Sequence, residues 1–152
     1  MKGGVLQNGD NIITIGTGSE NTGSIAYTSG FITGKLKRYF ANATGSKLFP
    51  VGNSSFLRDA MIDFNFSFQM DSAGCGFQQN QKIGFLPTAA RPLSVKLTVP
   101  CVATDMSGNN QAYGFLELYN DGSIFIRELT GTSVSLYKLY AEGQWYGGSS
   151  WS

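Results

Sequence analysis

The stretch Met61-Ile62-Asp63-Phe64-Asn65-Phe66-Ser67-Phe68-Gln69-Met70 decides the fold class. Ile62, Phe64, Phe66, Phe68 and Met70 alternate with Asp63, Asn65, Ser67 and Gln69. A period of two places every apolar side chain on one face of a strand and every polar one on the other. A helix, at 3.6 residues per turn, would scatter the phenylalanines around its axis.

The same logic extends outward from this segment. Leu93, Val95, Leu97 and Val99 alternate with Ser94, Lys96 and Thr98, which predicts a second strand with those four residues turned inward. Gly114–Tyr119 and Ser123–Glu128 flank Asn120-Asp121-Gly122, and Asp-Gly between two apolar runs predicts a hairpin. Ser133–Tyr140 reads as a last strand. Upstream, Asn11–Ile15, Ser24–Tyr27 and Lys35–Phe40 are strand candidates separated by Gly, Asn and Ser clusters. Asp71–Gln81 is the longest irregular stretch, and no segment reads as a helix longer than a turn. Strands spaced about ten residues apart predict an all-β sandwich, jelly-roll-like. Residues 1–57 form a strand-rich N-terminal segment of the same domain or an arm beside it, and residues 58–152 form the jelly-roll-like sandwich.

Composition narrows the function. Of 152 residues only 14% are charged, against roughly 25% in an ordinary soluble domain. Such a surface suits packing against copies of itself. The net charge is +1 with no basic patch, so nucleic acid is not an expected partner. No apolar run reaches the ~18 residues of a membrane helix, and the polar, Gly-rich start does not read as a signal peptide. The sequons at Asn42, Asn53 and Asn65 then read as products of a Ser/Thr/Asn-rich composition.

Histidine is absent, which removes the commonest general base and metal ligand. The two cysteines, Cys75 and Cys101, fit a disulfide or two buried thiols. Asp59, Asp63 and Asp71 lack the spacing of a calcium loop, and no carboxylate pair reads as a glycosidase site. The expectation is a non-enzyme with no cofactor and no metal. Lys35, Lys37 and Arg38 read as a solvated basic strand face. Arg91, held before Pro92, reads as a residue that satisfies turn carbonyls or a subunit contact. Tyr137, Tyr140, Trp145, Tyr146 and Trp151 cluster near the C-terminus among glycines and are the candidate ligand or interface residues. Aromatic rings with few charges suit both sugar stacking and subunit packing.

Two stretches carry a resemblance. Gly30-Phe31-Ile32-Thr33-Gly34-Lys35-Leu36-Lys37-Arg38-Tyr39-Phe40, then Lys47-Leu48-Phe49-Pro50-Val51-Gly52, then Arg58 and a strand, resembles a module of large surface and secreted Bacteroidetes proteins. That resemblance runs over residues 30–70, with Asp59 where the module usually has a proline. Ile83-Gly84-Phe85-Leu86-Pro87, Arg91-Pro92, and later Gly114-Phe115-Leu116-Glu117-Leu118 with Asn120-Asp121-Gly122-Ser123-Ile124 is similar to the trimeric heads of phage tail fibres and collagen-like proteins. This second resemblance runs over residues 83–128 and lacks the usual stalk. It implies a homotrimer that recognises cell surfaces. The expected function is a structural or receptor-binding component of a tail fibre or contractile injection particle, in a virion or extracellular particle. Its expected partners are its own copies, baseplate proteins and a cell-surface glycan. The alternative is a carbohydrate-binding or adhesive module of a bacterial cell-surface protein.

Overall fold

The computed structural model describes residues 2–18, 20–40, 46–52, 57–66, 79–105, 107, 111–131 and 138–146. These residues build an all-β chain of nine strands. They are β1 (Lys2–Ile15), β2 (Ser29–Phe40), β3 (Lys47–Leu48), β4 (Leu57–Phe66), β5 (Lys82–Phe85), β6 (Lys96–Thr104), β7 (Gln111–Tyr119), β8 (Ser123–Gly131) and β9 (Lys138–Tyr146). The one helical element among the described residues is a 3-10 turn, Thr88–Ala90.

All nine strands join one sheet in the order β1-β2-β4-β9-β6-β7-β8-β5-β3. β1 and β2, β2 and β4, and β3 and β5 pair in parallel. The remaining neighbours are antiparallel. The sheet curls until its distant parts meet. The Phe49 amide donates to the Phe85 carbonyl beside β5. One and three residues on, Ile32 of β2 donates to the Pro50 carbonyl and accepts from the Gly52 amide. Residues 47–52 therefore tie β5 to β2.

One apolar cluster fills the curl. It joins Ile32, Leu36 and Phe40 of β2, Phe49 and Val51, Ile83 of β5, Val99 and Cys101 of β6, Leu116 and Leu118 of β7, Ile124 and Ile126 of β8, and Leu139, Ala141 and Trp145 of β9. In each strand these residues fall on alternate positions, as a sheet with one wet and one dry face requires. Removal of this apolar surface from water is the main force that holds the chain folded.

The hairpin is where the turn chemistry placed it. Residues 120–122 link β7 to β8, and Gly122 takes φ 95°, a left-handed conformation in which glycine escapes a Cβ penalty. The Gly122 amide donates to the Tyr119 carbonyl at 2.9 Å. The Asp121 carboxylate accepts the Ser123 amide at 2.8 Å, and that bond keeps its pKa below the ordinary carboxylate value.

Other expectations change. β4 starts at Leu57, four residues before the predicted strand, and positions 67–70 of that segment lie outside the described residues. Ser24–Tyr27 is not a strand. Leu93 and Val95, expected inside, are 51% and 72% exposed. The strand begins at Lys96 instead, and its inward set is Val99, Cys101 and Ala103. It continues through Pro100, because the ladder with β9 covers only Cys101–Thr104, so a residue without an N–H stands just where that ladder stops. The last strand is Lys138–Tyr146; residues 133–137 of the predicted one lie outside the described residues.

Arg38 is also corrected, since it is 3% exposed and on the inward face of β2 rather than solvated. Its Nη1 donates to the Leu48 carbonyl at 2.5 Å, which stitches β2 to β3. Burial lowers its pKa, and burial together with Arg38 lowers that of Lys47.

Candidate functional site

The inward residues of β6, β7 and β9 form the core, so their alternate partners form an outward face. Val102 of β6 stands opposite Tyr113 of β7 on one side and Tyr140 of β9 on the other. The three make a row across adjacent strands. Tyr113 is 56% exposed and Tyr140 is 43% exposed, which is high for rings of this size. Pro100, Val102, Tyr113, Gly114, Tyr140 and Glu142 line a concavity of about 450 Å³ at this row.

A second concavity adjoins it. Gln7 and Asp10 of β1, Thr33 and Lys35 of β2, and Glu142 line a volume of about 410 Å³. Glu142 borders both. The first is walled by rings and aliphatic groups, and the second by carboxylates, an amide, a hydroxyl and an ammonium. Gly34 at φ 116° lines the second, with Asn8 packed where a Cβ would stand. Asn8 in turn donates to the Lys35 carbonyl at 3.0 Å, which fixes β1 against β2 at the floor.

A separate polar cluster occupies the outward face of β6, β7 and β8. Glu117 accepts from Lys96 Nζ at 3.0 Å, from Arg127 Nε at 3.0 Å and from the Tyr119 hydroxyl. The Tyr119 bond above all, with help from Lys96 and Arg127, pulls the Glu117 pKa down to about 2 against the opposing effect of burial. Arg127 also lies 4.4 Å from the Phe125 ring centroid, a cation–π contact. This carboxylate is fully engaged and is a poor proton acceptor, so its role is to lock three strands together.

The sequence-derived candidates separate. Tyr140 is in the exposed row. Trp145 is instead 4% exposed and part of the core, and its Nε1 donates to the Ala90 carbonyl at 2.7 Å. That takes Trp145 out of any sugar-stacking surface and makes it the anchor of the 3-10 turn. Tyr146 ends β9, its side chain outside the described set, and Tyr137 and Trp151 lie outside the described residues altogether. Tyr113 is the residue that sequence reasoning missed. Its signal was available, since Ala112, Leu116 and Leu118 share one parity and leave Tyr113 on the opposite face.

Arg91 behaves as a turn residue, with its Nε donating to the Leu86 carbonyl at 3.4 Å. Cys101 is a free, buried thiol whose pKa burial pushes up to about 11, and Cys75 lies outside the described residues. Asp59 and Asp63 are on β4 with side chains outside the described set, and Asp71 lies outside it too. Among the described residues no three potential ligands gather as a metal site.

No family model, curated protein or solved structure matches this chain.

Proposed function

We propose that this chain is a non-enzymatic structural and receptor-binding component of a phage tail fibre or contractile injection particle, acting by oligomeric assembly and surface recognition. The observation that carries the reading is the outward row Tyr113–Val102–Tyr140, an exposed aromatic surface on three strands whose other face is core. Rigid strands hold those rings in place, and preorganised rings bind at low entropic cost.

Two of the carboxylates are already engaged in holding the fold. Glu117 is consumed by three partners and Asp121 by its turn. In the fuller form of this reading, opposed stretches of the curled sheet act as the layers of a jelly-roll-like sandwich, and three copies assemble. Leu93 and Val95, together with Leu6 and Ile12 on the edge strand β1, are exposed apolar groups available to those copies. Baseplate or fibre proteins are the further partners, and the virion or an extracellular particle is the location.

The test is the solution mass of the purified chain by light scattering. A mass of three 16.4 kDa subunits is expected. A monomer overturns the trimer and favours an adhesive module of a bacterial surface protein.

A further inference from the structure

We infer that the two concavities sharing Glu142 form one groove for a neutral oligosaccharide, a reading that rests on the receptor-binding role proposed above. A sugar ring is amphipathic, with apolar C–H faces and a rim of hydroxyls. The first concavity offers Tyr113 and Tyr140 beside Pro100 and Val102, and aromatic faces stack on C–H faces. The second offers Gln7, Asp10, Thr33 and Lys35, which supply both donors and acceptors for hydroxyls. Glu142 lies between them and reaches both.

The reach fits an oligosaccharide better than a single sugar. From β7 through β6, β9 and β4 to β2 the sheet crosses four strand spacings, which is about 19 Å along its surface.

Other ligand classes fit less well. A peptide that adds a strand needs a free sheet edge; β1 has one, but it lies at the opposite end of the groove from the aromatic row, whose strands β6 and β9 are each paired on both sides. A lipid surface would have to desolvate Asp10, Lys35 and Glu142. Among the described lining residues two carboxylates, Asp10 and Glu142, stand against one lysine, Lys35, a balance that repels nucleic acid and acidic sugars. That charge balance selects neutral sugars.

The test is a glycan array of bacterial surface polysaccharide fragments probed with the full chain, followed by calorimetry on the strongest neutral hit. Tyr113→Ala and Tyr140→Ala are each expected to weaken binding by about tenfold or more. Glu142→Gln is expected to weaken it less, and Glu20→Gln, at an exposed position that lines neither concavity, to leave it unchanged. Melting temperature, recorded for each variant, separates lost binding from lost folding. Absence of any glycan signal overturns the groove. So does binding that survives the Tyr113→Ala/Tyr140→Ala double variant, or binding to acidic glycans or lipid vesicles alone. A glycan-binding monomer would keep the groove and discard the trimer; a trimer that binds no glycan would do the reverse.

Discussion

The antiparallel strands β9, β6, β7 and β8 and the parallel strands β1, β2 and β4 share one sheet but are built by different rules. β7 and β8 are joined by residues 120–122 alone, so local turn chemistry sets their register. β2 and β4 run in parallel, so the chain must cross back between them. That crossing carries β3, which pairs with β5 on the far side of the strand order. Locally coded pairing builds the β6-β7-β8 run, and long-range closure adds β9 to it and builds the parallel part. The lesson is that a single core can unite the two, because Leu36 and Phe40 belong to the same buried cluster as Leu116 and Ile126.

Trp145 sits at the seam between the halves. β9 pairs with β4 on one side and β6 on the other, and the ring is buried with its N–H on Ala90. Trp145→Ala is expected to cost about 3–5 kcal/mol of stability by denaturant unfolding. A loss under about 1 kcal/mol would mean the seam is not packed. Next, Leu36→Ala in the parallel half and Leu116→Ala in the antiparallel half, both fully buried, are each expected to cost about 2–5 kcal/mol. A much smaller value for Leu36→Ala would break the single-core picture.

Gly122→Ala probes the local code itself. At φ 95°, with the Leu86 carbonyl 2.7 Å from where a Cβ would stand, alanine is strained. The expected loss is about 1–2 kcal/mol in thermal melts. The smallest effect belongs to Glu117→Gln, about 1 kcal/mol at neutral pH. Its folded pKa of about 2 lies below the ordinary 4.5, so its contribution is complete above about pH 4.5 and disappears as pH falls toward 2. Glu117→Gln should therefore flatten the acid limb of the stability curve between those values. An unchanged acid limb would show that Lys96, Tyr119 and Arg127 do not depend on that charge.

Strand character was legible wherever alternation was clean, as in Ile62, Phe64 and Phe66, and the hairpin was legible in Asp121-Gly122. Parallel pairing was not, because alternation reports which residues share a face and says nothing about the neighbouring strand. Leu93 and Val95 alternate correctly yet lie before the strand begins, so the pattern alone placed them inside. Of the candidate site, aromatic clustering points to Tyr140, which the structure places on the outward face. Trp145 was grouped with it by residue type, although its parity with Leu139 and Ala141 assigns it to the core face. Parity, not aromatic content, would have separated those two and found Tyr113.

Native-state amide hydrogen exchange tests the central claim most directly, namely that the locally coded and long-range halves form one cooperative unit. Slow exchange at a shared global rate is predicted for the amides of Ile32, Leu36 and Phe40 and for those of Leu116, Leu118, Ile124 and Ile126. Fast exchange confined to the β2 amides, with β7 and β8 still protected, would contradict it and make the parallel half a separate, weaker layer.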